Sequence, residues 1–129
     1  MAYNILVVDD SNVIRKVLIK TLSLAKVPVG EVFEAANGKE ALEILDGSWI
    51  DLVFADINMP VMNGVEMIEK MSESGMLNNI PVVIISTEGS LTRIEELKAK
   101  GVKAYVRKPF TPEAIKEVVQ DVMEGSNGK

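Results

Sequence analysis

Three acidic residues and one basic residue stand where apolar runs stop, and their types narrow the chemistry. The run from Ile5 to Val8 ends in Asp9-Asp10, and the run from Leu52 to Ala55 ends in Asp56. Ser86-Thr87 follows the run from Val82 to Ile85, and the run from Ala104 to Val106 leads through Arg107 to Lys108-Pro109. Carboxylates, hydroxyls and amines are all the chain can offer, because its 129 residues include no cysteine and no histidine. Disulfides, zinc sites built on nitrogen and sulfur, and cysteine or histidine nucleophiles are thereby excluded.

Two ionised carboxylates ~4 Å apart repel by about 4 kcal/mol at an effective dielectric near 20, so three drawn together require a cation. A few carboxylate oxygens completed by water suit Mg²⁺ better than Ca²⁺, with Mn²⁺ as a substitute. Such an ion, with the Lys108 ammonium beside it, would let a phosphoryl group approach an aspartate that then acts as nucleophile. Taken singly, each residue has a plainer reading. Asp9 and Asp10 serve as helix caps, and Asp56 as a loop aspartate ahead of the turn formers Asn58, Pro60, Asn63 and Gly64. Lys108 is then a solvated lysine and Ser86 a strand-end hydroxyl bonded to backbone. Only convergence in space favours chemistry over these readings.

Convergence depends on the elements that carry the residues. Short β-branched runs alternate with helical periodicity along the whole chain, which predicts a parallel sheet covered by helices on both faces. The strand runs are 5–8, 32–35, 52–55, 82–85 and 104–106, with the three middle ones expected to be fully buried. A first helix should follow the cap Ser11 with Ile14, Val17, Leu18 and Thr21 on one stripe, and a second should carry Ala41, Leu42 and Leu45 after Asn37-Gly38. A third, from about Gly64, should bury Val65, Ile68 and Met71; a fourth should bury Leu91, Ile94 and Leu97 before Gly101. In the fifth, Thr111 caps, Pro112 opens, and Ile115, Val118, Val119, Val122 and Met123 form the buried stripe up to Gly125. The methionines and Trp49 are expected as packing residues, Trp49 near the second helix. In an open parallel sheet ligands bind beyond the carboxyl ends of the strands, where the acidic residues stand.

Bulk properties limit the partners. A formal net charge of −5 gives no basic field to attract nucleic acid or an anionic membrane surface, and no apolar run approaches the ~20 residues of a membrane span. Protein partners, a cytoplasmic location and one domain over residues 1–124 with a fraying tail at 125–129 are expected.

VVDDS at 7–11, DINMPVMNG at 56–64, the apolar run ending in Ser86 and KPFTP at 108–112 resemble, in order and across essentially the whole chain, the receiver domain of two-component response regulators. The single-domain chemotaxis type is the nearest in shape. The resemblance implies a flavodoxin-like, doubly wound, five-stranded parallel sheet of order 2-1-3-4-5 with five helices. It makes Asp56 the phosphoacceptor, with Asp9, Asp10, Asp56 and the backbone carbonyl of Asn58 as ligands to Mg²⁺. It makes Ser86 the switch hydroxyl, Lys108 the cationic phosphoryl partner and Tyr105 the aromatic whose rotamer follows Ser86. The plainer reading of Tyr105 is an amphipathic residue on a charged edge strand between Lys103 and Arg107. A cis Lys108–Pro109 bond, and tuning of phosphoryl loss by Asn58 and Glu88, follow from the same resemblance.

The implied function is a phosphorylation-activated switch, without turnover of an external substrate, that catalyses its own aspartyl phosphorylation and dephosphorylation. A sensor histidine kinase would supply the phosphoryl group, and a phosphatase would speed its removal. A downstream protein would dock on the face formed by the fourth helix, fifth strand and fifth helix of a monomer. Alternatives are a phosphorelay intermediate or phosphate sink, an aspartyl phosphatase of the haloacid dehalogenase type, and a flavodoxin-like electron carrier. The phosphatase needs a second aspartate where Asn58 stands, and the electron carrier needs a hydroxyl- and glycine-rich loop where Asp9-Asp10 stand.

Overall fold

Strands that are apolar at successive positions must be covered on both sides, and the intervening helices supply that cover. A computed structural model describes residues 2–87 and 90–124. In it β1 (Tyr3–Val8), β2 (Val29–Ala35), β3 (Leu52–Ala55), β4 (Val82–Ser86) and β5 (Ala104–Arg107) pair in parallel, in the order β2-β1-β3-β4-β5. Helices α1 (Asn12–Leu24), α2 (Gly38–Gly47), α3 (Gly64–Glu73), α4 (Leu91–Lys100) and α5 (Pro112–Val119) alternate with them. This is the sheet order and helix number that the resemblance implied.

The pleat divides the core into two. Leu6, Val8, Val53, Ala55, Val82 and Ile84 face α2, α3 and α4, where they meet Ala41, Leu45, Met67, Ile68, Met71 and Leu97. The alternate residues Ile5, Val7, Leu52, Phe54, Val83 and Ile85 face α1 and α5, against Leu18, Leu22, Ile115, Val118 and Val119. Burying both faces fixes the register, since a one-residue slip would exchange the two sets. The register levels the strand ends: Val8 lies opposite Ala35 and Ala55, Ala55 opposite Ile84, and Ser86 opposite Arg107.

The helix starts are set locally. Ser11, Asn37, Asn63, Ser90 and Thr111 each accept a backbone N–H of the first turn with a side-chain oxygen. Asn63 and Glu66 form a reciprocal capping box, and Pro112 opens α5 where its missing N–H costs nothing.

The structure corrects four sequence expectations. Val17 is 47% exposed, because α1 packs through Leu18, Thr21 and Leu22, one residue further round the helix. Leu91 is 68% exposed, since it opens α4 ahead of the turn that reaches the sheet, and only Leu97 of that helix is buried. The run 32–35 is not fully buried: β2 is an edge strand, and of the four only Ala35 is inaccessible. Trp49 does not pack into the core but stands 79% exposed, its indole N–H donating to Asp51 Oδ1. The stripe of α5 holds to Val119, after which the backbone widens into a π turn over Gln120–Glu124 with Val122 and Met123 half-buried. Gly125, the tail 125–129 and Glu88 lie outside the described residues.

Candidate functional site

The level strand ends put Asp9, Asp10 and Asp56 on one rim. Asp9 extends β1 by one rung, its N–H donating to the Ala35 carbonyl at 3.0 Å, and Asp56 extends β3 by one, its N–H donating to the Val8 carbonyl at 2.9 Å. One carboxylate oxygen from each of Asp9, Asp10 and Asp56 lies within 4.8 Å of the others. Asp9 and Asp56 are buried and Asp10 is exposed, so the cluster opens to solvent on one side.

Lys108 reaches this cluster from the end of β5. Its ammonium donates to Asp9 Oδ2 at 2.8 Å and to Asp56 Oδ2 at 3.1 Å, joining residues 99 and 52 positions away. Burial alone pulls the Lys108 ammonium down, but hydrogen bonds and charge from Asp9 and Asp56 outweigh it, so its pKa is held above the ordinary value. Asp56 Oδ1 accepts the following Ile57 N–H at 2.7 Å, and Asp9 Oδ1 accepts the Ser11 N–H at 2.9 Å. Both buried carboxylates are thus held at each oxygen. Gly64 packs directly on the Asp56 peptide, where a Cβ would collide with the Asp56 carbonyl oxygen. The Gly64 N–H donates to the Ile57 carbonyl at 2.7 Å, which seats the start of α3 against the loop that follows Asp56.

Ser86 is fully buried at the end of β4, two residues beyond the partner of Ala55, and is tied to the site through its carbonyl. That carbonyl accepts the Lys108 N–H at 3.0 Å and the Tyr105 hydroxyl at 3.1 Å. Tyr105 is half-buried and packs on the α2–α3–α4 side, so its ring belongs to the core while its hydroxyl joins the strand end that carries Ser86. The Lys108–Pro109 bond is cis. Asn58 is exposed in the loop leaving Asp56, and Thr87 is exposed beside Lys108.

The structure therefore brings Asp9, Asp10, Asp56 and Lys108 into one cluster, with Ser86 joined to it through its carbonyl, which accepts both the Lys108 N–H and the Tyr105 hydroxyl. The donor set fits a hard divalent ion: three carboxylates and no nitrogen or sulfur ligand, with one open side for water. Two participants escaped the sequence reading. The Ile57 N–H is a backbone group that no side-chain pattern announces. Arg15, whose guanidinium donates to the Asp9 carbonyl at 2.6 Å, looks in sequence like any charged residue on an exposed helix turn.

Known proteins share both pattern and fold. Residues 5–120 match the response regulator receiver domain family. The chain is 33% identical over 126 residues to a chemotaxis protein CheY homolog of Campylobacter jejuni, covering 97% of this chain and 95% of that one. It is 37% identical over 124 residues to chemotaxis protein CheY1 of Helicobacter pylori, covering 95% and 98%. The structure of Vibrio cholerae chemotaxis protein CheY4 superposes with a TM-score of 0.83 at 34% identity, covering 95% of this chain and all of that one. The chain belongs to the response regulator receiver domain family.

Proposed function

We propose that Asp56 takes up a phosphoryl group from a partner histidine kinase or a small phosphodonor, and that the modified domain signals to a separate protein, in chemotaxis as its relatives do. The observation that carries this is the Lys108 ammonium shared between Asp9 and Asp56 within an acidic cluster that spans no more than 4.8 Å. Asp9, Asp10 and Asp56, with the Asn58 carbonyl, would hold Mg²⁺, which supplies charge neutralisation for the incoming phosphoryl oxygens. An Asp56 carboxylate oxygen attacks phosphorus as the P–N bond of the partner's phosphohistidine breaks, and the imidazole leaves with that electron pair. Lys108 is placed to bind a phosphoryl oxygen, and the Ile57 N–H holds the acceptor carboxylate in orientation. Water later cleaves the aspartyl phosphate and resets the switch, with a partner phosphatase as accelerator.

The phosphoryl group biases a two-state equilibrium at the strand end that carries Ser86, and Tyr105 reports it to the surface. A cleft of about 510 Å³ between α4, β5 and α5, lined by Lys98, Tyr105, Arg107, Phe110 and Asp121 among others, supports a protein target on that face of a monomer. The partners and the domain are cytoplasmic in this reading; among the described residues no helix is long and apolar enough to cross a membrane.

Acetyl phosphate or phosphoramidate with Mg²⁺ tests this directly. The wild-type protein should gain the mass of one phosphoryl group, and Asp56→Asn or chelation should abolish the gain. A label that persists in Asp56→Asn, or maps to another residue, would sink the assignment.

A further inference from the structure

Arg15 has a role that the phosphoryl chemistry does not account for. Its guanidinium is largely buried, with the side chain 15% exposed, and bonds three separate parts of the fold. One Nη donates to the Asp9 carbonyl at 2.6 Å, Nε donates to Glu34 Oε1 at 2.9 Å, and the other Nη donates to Asn12 Oδ1 at 3.2 Å. Glu34, on β2, is itself fixed from a second side by the Lys16 ammonium at 2.6 Å.

The acceptor on Asp9 is the carbonyl of the peptide that joins Asp9 to Asp10. The sheet engages the neighbouring groups, since the Val8 carbonyl takes the Asp56 N–H and the Asp9 N–H goes to Ala35. The Asp9 carbonyl lies past the last rung of that ladder, where Arg15 reaches it. A peptide is planar, so holding its carbonyl holds the positions of both flanking Cα atoms, from which the Asp9 and Asp10 side chains leave the chain. Those two side chains are two of the three carboxylates of the cluster. A charge-assisted bond restrains that plane more firmly than a neutral one. Glu34 also cancels the arginine's positive charge, which would otherwise oppose a cation at the rim.

We propose that the Arg15–Glu34 pair is a positioning device for the divalent ion: it orients the Asp9–Asp10 peptide and so sets metal affinity, without touching the transferred phosphoryl group. The inference rests on the metal site assigned under the proposed function. Groups that orient ligands from outside the coordination sphere commonly change metal affinity ~10–100-fold when removed.

Calorimetric titration with Mg²⁺ alone tests it, on wild type, Arg15→Met and Glu34→Gln. Acetyl phosphate labelling across the Mg²⁺ range supplies the second readout. Arg15→Met should weaken Mg²⁺ about 10-fold or more and shift the half-maximal Mg²⁺ for labelling equally, with the labelling rate at saturating Mg²⁺ close to wild type. Glu34→Gln keeps an acceptor for Nε but leaves the arginine charge uncancelled, so it should weaken Mg²⁺ by a smaller factor; it decides the matter alone if Arg15→Met does not fold. Variants that bind Mg²⁺ like wild type, whether or not they are less stable, overturn the positioning role alone. A fall in the saturated rate also overturns it, because Arg15 would then act in the transfer itself. Wild-type protein that takes up no Mg²⁺ overturns this role together with the metal site.

Discussion

Asp9 is engaged at three points of the site. One carboxylate oxygen holds Lys108, the other holds the N–H that opens the turn into α1, and its carbonyl takes Arg15. Asp56 by comparison meets Lys108 and its own neighbour's N–H. Both carboxylates are held at each oxygen, and Asp9 is tied in addition through its carbonyl. Replacing Lys108 with Met should remove the charge that Asp9 and Asp56 share and lower metal-free stability by about 1–3 kcal/mol, read from urea unfolding. Glu34 gives a pH signature. Hydrogen bonds from Lys16 and then Arg15 hold its carboxyl below the ordinary value of 4.5. Its contribution is therefore present above that value and lost as the pH falls through the lower folded one. Urea midpoints between about pH 5 and 3 should fall less steeply for Glu34→Gln than for wild type, with the difference reduced by salt because the carboxylate is partly exposed. At this scale the sequence displayed the acidic and basic participants, since Asp9, Asp10, Asp56 and Lys108 end apolar runs. It hid Arg15 and the Ile57 N–H, because a carbonyl's partner depends on where α1 lies over β2, which no local pattern encodes.

The loop from β3 to α3 holds one of the two non-glycine residues with positive φ among the described residues, the other being Lys26. Val61 has φ near +66°, a β-branched side chain in the left-handed region, at the centre of a tight turn closed by the Met62 N–H and the Pro60 carbonyl at 2.6 Å. Such a turn is uncommon, and for an L side chain the left-handed region costs about 1–2 kcal/mol. The side chain is 77% exposed and recovers little of that by burial. Val61→Asn should raise stability by about 1 kcal/mol in urea unfolding, and no gain would mean that the loop relaxes around valine. Gly64 closes the same loop. Gly64→Ala should cost about 1–3 kcal/mol, because the new methyl group must displace either α3 or the Asp56 peptide. Helix starts were readable from Ser11, Asn37, Thr111 and Pro112, whose capping chemistry is local. Burial on α1 and α4 was not, because Val17 and Leu91 satisfy helical periodicity yet fall outside the arc that the sheet covers. The same limit applies to 32–35, where Val32 and Phe33 suit an edge strand as well as a central one.

For the whole molecule, the sheet order makes the site an assembly of three separate strand ends and the lysine of a fourth. A ligand of the assembled rim binds the native state alone, so Mg²⁺ at ~100 times its dissociation constant should add about 2.7 kcal/mol of stability and raise Tm by roughly 10 °C. Asp10→Asn should remove most of that rise in a thermal melt. The parallel arrangement has a further effect during synthesis. Neighbouring strands join only through crossovers, and the ammonium that balances the acidic rim lies 52 positions after Asp56 and 99 after Asp9. At ~5–20 residues per second a ribosome needs roughly 3–10 s to advance from Asp56 to Lys108. Through that interval the nascent chain carries the negative groups of the rim without the ammonium that balances them in the fold.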